Sequence, residues 1–266
     1  MKLGLIISSL FYFMTLMLIQ NEGCNGCVEN ERMGLLEIKK YIVSQVEYYN
    51  KELSSWVDDR DHSNCCSWKR VKCSNFSSGH ITKLSIQGLL FATPHPNMLN
   101  ISLFRPFEEL RLLDLSLNGF RGWIGNKGFP RLKKLETLDL TNNNLKGSIL
   151  SSLNGLTALK TLKLSYNSIY NNYPTQGFPR LKKLETLDLS WNGIESSILP
   201  SLNGLAALKT LNLSYNSMRN FSPQGMFVFY NLFTTLSVDG NFVCLVVVLM
   251  SYITHGFNVY FQNCTD

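Results

Sequence analysis

The chain has 266 residues, 45% of them hydrophobic and 17% charged, with a formal net charge of +6. This is the composition of an ordinary folded chain, long enough for one large domain or two small ones. The charge permits attraction to acidic polymers or membrane surfaces but demands neither, and the basic residues form no long run, which argues against nucleic acid as a partner.

Residues 1–23, MKLGLIISSLFYFMTLMLIQNEG, read as a secretory signal peptide. Lys2 supplies the positive start, Leu3 to Ile19 the apolar run, and Gln20 to Glu22 the polar exit, with cleavage expected before Cys24. The rival reading is an uncleaved anchor, but the run is short for a bilayer span of about 20 residues. Either way the chain enters the secretory route. Five of the seven cysteines sit early (Cys24, Cys27, Cys65, Cys66, Cys73) and two late (Cys244, Cys264). In an oxidising compartment the early cluster forms disulfides. CNGC also has the C-x-x-C spacing of redox and zinc sites, but it lacks the βαβ context of the first and the second pair of the other. No metal or cofactor is expected.

ENERMGLLEIKKYIVSQVEYY predicts an amphipathic helix with Leu35, Ile38, Ile42 and Val46 on one face. Trp56, Trp68 and Val71 add apolar bulk, and CCSWKRVKC leads into a first strand at ITKLSI, Ile81 to Ile86.

The middle of the chain is periodic. Leu-x-x-Leu-x-Leu-x-x-Asn-x-apolar recurs from Leu110, Leu135, Leu159, Leu184 and Leu208, with template asparagines at Asn118, Asn143, Asn167, Asn192 and Asn216. A weaker sixth copy, FTTLSVDGNFV, carries Asn241. The larger unit is a pair of repeats. GFPRLKKLETLDL occurs at Gly128 and again at Gly177, and SLNGLTALKTLKLSYNSI at Ser152 returns as SLNGLAALKTLNLSYNSM at Ser201. Copying a pair is tolerable where each turn touches only its neighbours.

Each Leu-x-Leu predicts a short strand with both leucines on one side. One turn cannot bury that face, whereas stacked turns bury one another's leucines, with strands about 4.8 Å apart. The template Asn turns inward to satisfy backbone groups that are otherwise buried unpaired. Phe129, Leu132, Leu153 and Leu156 anchor the returning side.

This is the leucine-rich repeat pattern. The fold expected is an α/β solenoid, a horseshoe with a parallel concave β-sheet and a helical, disulfide-linked N-terminal cap. The 24- to 25-residue period resembles the plant extracellular class, whose Gly-x-Ile-Pro survives only in part in KGSIL and SSILP, so a second strand in every turn is less firmly expected. CVENERMGLLEIKK, Trp56 and CCSWKRVKC resemble the plant leucine-rich repeat N-terminal cap. NISLFRPFEELRLLDLS resembles plant receptor-like proteins, the kinase-free relatives of receptor kinases. The match runs from about Cys27 to Met218. It implies disulfides Cys27–Cys65 and Cys66–Cys73 and leaves Cys24 unexplained.

The expected organisation is a signal peptide over 1–23, a cap over 24–79, about six repeats over 80–241 and an apolar tail over 242–266. Family receptors carry more repeats, so this is read as a short or truncated member. FVCLVVVLMSYI (Phe242 to Ile253) is about half a bilayer span and lacks flanking positive charge. It is read as a weak membrane anchor, an improvised cap over the last turn, or a non-native tail.

HExxH, GxSxG, the P-loop and GxGxxG before a helix are all absent, so no catalytic residue is expected. DDRDH (Asp58 to His62) reads as a solvated cap loop. Function is sought on the strand face. One column reads Asp114, Asp139, Lys163, Asp188, Asn212, and another Arg111, Glu136, Lys160, Glu185, Lys209. The second, alternating in sign, is expected to pair across strands and stabilise the sheet. A third reads Leu117, Asn142, Tyr166, Trp191, Tyr215, three aromatics on consecutive turns. They form either a stiffening stack or a ligand platform of large contact area. The ligand-binding candidates are Tyr166, Trp191, Tyr215, Asp139, Lys163 and Asp188. The basic PRLKK segments at Arg131 and Arg180 are read as a solvated face with acidic polysaccharide as a conceivable partner. Glycosylation sequons occur at Asn75, Asn100, Asn212, Asn220 and Asn263. Asn212 lies on the concave face, where a glycan covers the ridge beside Tyr215.

The expected function is non-catalytic extracellular recognition of a peptide, protein or glycan ligand in cell-surface signalling or defence, with a co-receptor as a further partner and membrane association undecided. The alternatives are a secreted inhibitor of microbial wall-degrading enzymes, by resemblance to polygalacturonase inhibitors, and a structural fragment without its own ligand.

Overall fold

The computed structural model describes residues 27–46, 51–58, 64–74, 78–91, 98–124, 129, 132–170, 181–202 and 205–217. The expected signal peptide, Cys24, most of the DDRDH loop, Arg131, Arg180, the sixth repeat at Asn241, the 242–266 tail with Cys244 and Cys264, and the sequons at Asn75, Asn220 and Asn263 lie outside the described residues.

The predicted cap helix is α1, Glu29–Gln45. Glu29 and Glu31 in its first turn suit the positive end of the helix dipole. Leu35, Ile38 and Ile42 are at most 1% exposed, as their spacing requires, and Val46 packs half-buried against the same core. The helix lies tight on the first turn: a Cβ at Gly34 would stand 2.9 Å from Pro106 Cγ. Trp56 and Trp68 stack with centroids 6.0 Å apart. The two disulfides implied by the resemblance, Cys27–Cys65 and Cys66–Cys73, are both present.

Strands β1 (Val71–Cys73), β2 (Ile81–Ser85), β3 (Met98–Asn100), β4 (Leu112–Asp114), β5 (Gly122–Ile124), β6 (Thr137–Asp139), β7 (Thr161–Lys163), β8 (Thr186–Asp188) and β9 (Thr210–Asn212) form two sheets. The larger has the order β1-β2-β4-β6-β7-β8-β9. Its first pair is antiparallel, which ties the cap to the solenoid, and every later pair is parallel. Register holds Leu84, Leu113, Leu138, Leu162, Leu187 and Leu211 in one file. The first five are fully buried and Leu211 is half-buried. Burying such a side chain is worth about 1.5–3 kcal/mol, so the file and its flanking leucines make one continuous core.

The smaller sheet pairs β3 with β5. The plant-type second strand therefore exists in the early turns. At KGSIL and SSILP the chain instead forms 3-10 helices, Gly147–Gly155 and Ser196–Ile198, the latter running into α2, Leu199–Leu202. The returning anchors Phe129, Leu132, Leu153 and Leu156 are all buried.

The template asparagines make the ladder expected of them. Asn143 Oδ1 accepts from Phe120 N–H at 2.9 Å, while its Nδ2 donates to Leu115 O of the preceding turn and to Leu140 O and Thr141 O of its own. Asn118, Asn167, Asn192 and Asn216 repeat the scheme, with Oδ1 accepting from Leu90, Leu145, Ile169 and Ile194. Each amide thus fills backbone valences in two turns at once.

Candidate ligand-binding face

In β4, β6, β7, β8 and β9 the first and third residues point away from the leucine core. The first positions give Thr137, Thr161, Thr186 and Thr210, in register across four strands. This hydroxyl ladder was legible in the repeated E/K-T-L and was missed by reading charges alone. The third positions give Asp114, Asp139, Lys163, Asp188 and Asn212, also in register.

The acidic members of that file do local work. Asp114 Oδ1 accepts from Ser116 N–H at 3.0 Å, Asp139 Oδ1 from Thr141 N–H at 3.0 Å, and Asp188 Oδ1 from Ser190 N–H at 3.0 Å. Asn212 Oδ1 does the same for Ser214 N–H at 3.1 Å. These bonds bend the chain out of the strand in the manner of an Asx turn. One carboxylate oxygen of each Asp is so engaged. The other oxygen of Asp139 meets Lys163 Nζ at 3.3 Å, and the Lys163 side chain is 48% exposed. The predicted trio Asp139, Lys163 and Asp188 is therefore contiguous on one outward file, with two members partly committed to the fold.

The turn that follows sets the aromatic column. Tyr166, Trp191 and Tyr215 have φ of 52°, 52° and 56°, as do Leu117 and Asn142 at 60° and 54°. Gly88 stands in the same column with φ 68°. Left-handed backbone suits Gly and Asn but is strained for bulky side chains. The strain was missed in the sequence, although Gly88 and Asn142 in one column signal it. The three rings stack: Tyr166 on Trp191 with centroids 5.0 Å apart and planes at 10°, Trp191 on Tyr215 at 3.9 Å and 16°. They remain open to solvent at the rims, Tyr166 49% and Trp191 43% exposed. The rings stack as the first of the two expectations has it, and Tyr166 and Trp191 stay exposed while doing so.

On the other flank the alternating column pairs as expected. Glu136 lies between Arg111 and Lys160, the latter at 2.9 Å, and Glu185 meets Lys209 at 2.7 Å. Lys160 and then Arg111 hold the Glu136 carboxyl below its usual range, and Lys209 does so for Glu185.

Away from this face, Glu31 is 2% exposed at the cap junction. Its carboxylate accepts from Ile81 N–H at 2.7 Å and faces His80 Nδ1 at 3.1 Å. Burial pushes its pKa up, against those two hydrogen bonds. Nothing in the helix pattern marked this glutamate. Among the described residues no three His, Cys, Asp or Glu side chains group to hold a metal, and no helix is long and apolar enough to cross a membrane.

Residues 108–169 and, overlapping them, 133–194 match the family described as Leucine rich repeat, and residues 28–74 match the Leucine rich repeat N-terminal domain. Receptor-like protein 9b of Arabidopsis thaliana is 36% identical over 166 residues, and Receptor-like protein 45 of the same plant 42% over 151. These alignments cover 60% and 55% of this chain but only 17% and 16% of the relatives. Among solved structures, the Arabidopsis receptor kinase HAESA, in complex with the peptide hormone IDA and the co-receptor SERK1, superposes with a TM-score of 0.59 at 25% identity, over 80% of this chain and 33% of that one.

Proposed function

Because the chain belongs to the leucine-rich repeat family and is similar to plant receptor-like proteins, we propose that it is a non-catalytic, extracellular recognition module whose concave face binds a peptide or protein ligand. The observation that carries this reading is the aromatic column. Two large rings, Tyr166 and Trp191, are kept exposed, with Tyr215 half-buried beside them, at positions whose backbone conformation favours Gly or Asn. Residues held in sparsely populated conformations cost on the order of 1–3 kcal/mol each and concentrate at functional sites. Tyr166 and Trp191 form the platform, with Tyr215 stacked against its end, and Asp139, Lys163 and Asp188 supply charge beside it.

The stacking favours a polypeptide over a sugar. Trp191 has a tyrosine on each face, so the ladder offers ring rims rather than faces. Rims carry partial positive charge and suit carbonyl and carboxylate oxygens. The likeness to a peptide-hormone receptor solved with its co-receptor supports a peptide ligand and an additional co-receptor contact. Entry to the cell exterior is supported by the signal-like residues 1–23 and the cap disulfides.

The test is a screen of the secreted chain against extracellular peptides, proteins and wall glycans, followed by Trp191→Ala. Affinity for the ligand found should fall by about 2 kcal/mol or more, the range of an interface anchor. Full affinity in that variant refutes the platform, and capture of glycans alone refutes the polypeptide ligand.

A further inference from the structure

We infer that Asn212 carries an N-linked glycan and that this glycan closes the Tyr215 end of the concave face, so that the ligand-reading surface stops at Trp191. The inference rests on the extracellular recognition reading above.

The duplicated unit shows the change directly. Lys163-Leu164-Ser165 in one copy corresponds to Asn212-Leu213-Ser214 in the other, with Tyr166 matching Tyr215. Where the first copy has an exposed lysine the second has an asparagine, and the serine two residues on completes a sequon. The geometry of the file admits the modification. Asn212 uses Oδ1 for the turn bond to Ser214 N–H, just as Asp188 uses one oxygen for Ser190. Its Nδ2 makes no hydrogen bond with the described residues. The ladder asparagines differ: Asn192 Nδ2 donates to Leu164 O, Leu189 O and Ser190 O, so nothing could be attached there without breaking the stack. Asn100, the other described sequon, divides its amide as Asn212 does, with Oδ1 accepting from Ser102 N–H at 3.1 Å.

Transfer forms a bond from the anomeric carbon of the sugar to Asn212 Nδ2. The glycosyl–phosphate bond of a polyprenyl-diphosphate-linked oligosaccharide donor breaks, the lipid diphosphate departs, and one amide proton is released. The remaining N–H and Oδ1 keep the turn. The bulky product stands on the outward file, three residues before Tyr215 and in register with Asp188.

The experiment uses the full chain secreted from a eukaryotic host. Peptide mapping before and after endoglycosidase should find Asn212 glycosylated. A bare Asn212 beside an occupied Asn100 overturns the inference and leaves the recognition reading standing, because loss of ligand affinity in Trp191→Ala is independent of occupancy. Shielding is read separately in Asn212→Asp, which preserves the turn acceptor. Of the four tryptophans, Trp56 and Trp68 are buried, Trp123 is half-buried and Trp191 is exposed, so acrylamide quenching reports mainly on Trp191. Quenching should increase in Asn212→Asp relative to the glycosylated chain. Equal quenching overturns the claim that the glycan covers this end.

Discussion

The cap and the repeats hold together by opposite strategies. In the cap, stability rests on a few contacts that occur once: two disulfides, the Trp56–Trp68 stack, and Glu31 reaching from α1 to the first strand. In the repeats the same leucine, asparagine and aspartate contacts recur turn after turn, and no single one is unique. Damage to the cap should therefore be felt by the whole chain, and damage to a repeat mainly by its neighbours.

The largest expected effect tests the cap side. Cys27→Ser opens a bridge between residues 38 apart and should lower stability by about 4 kcal/mol, with Cys66→Ser losing about 2 because its loop spans only 7. Denaturant melts of the two variants check the order, and equal losses would break the link to loop length. On the repeat side, Asn167→Ala leaves Leu145 N–H unpaired, removes one of the two donors to Leu140 O, and should cost about 1–3 kcal/mol. Hydrogen exchange should localise the loosening to the turns of Asn143 and Asn167, and global loosening would erase the distinction drawn above.

A smaller effect separates strain from stacking. Trp191→Ala removes two ring contacts but keeps a side chain at φ 52°, whereas Trp191→Asn removes the same contacts and relaxes the backbone. The Asn variant should be more stable than the Ala variant by about 1 kcal/mol. Thermal melts that fail to separate the two would remove strain from the account.

The smallest effect concerns pH, and its sign differs between the regions. Burial raises the Glu31 pKa above its unfolded value. Its contribution is therefore fully present below the unfolded value and is lost as pH rises through the folded one. Glu136 and Glu185 are depressed by Lys160 with Arg111 and by Lys209 respectively. Their contribution is present above the unfolded value and is lost as pH falls through the folded one. In urea titrations across the acid range, Glu31→Gln should steepen the acid loss of stability and Glu136→Gln should flatten it. Identical pH profiles would contradict the assignment.

Most of the repeat architecture was legible because a period states its own packing. Leu138 and Leu187 are interchangeable in sequence and in burial, and the asparagine ladder follows from the need to satisfy backbone at the same point of every turn. The features that were not legible lie where a residue type is decoupled from its role. Asp139 and Asp188 read as free charge, yet each spends an oxygen on a turn. Tyr166 carries no mark of its left-handed backbone, which only column mates such as Gly88 and Asn142 reveal. Glu31 sits among solvated helix carboxylates in the sequence, and only the partner strand makes it a buried group.

The asparagine ladder also has a direction. Every template amide reaches back: Asn143 to Leu115, Asn167 to Leu140, Asn192 to Leu164, Asn216 to Leu189. A turn is finished only when the asparagine of the following turn arrives. On a ribosome, where the N-terminal end emerges first, the stack would be locked one turn behind synthesis, with the disulfide-held cap as its foundation and each new asparagine as the latch on the turn before it.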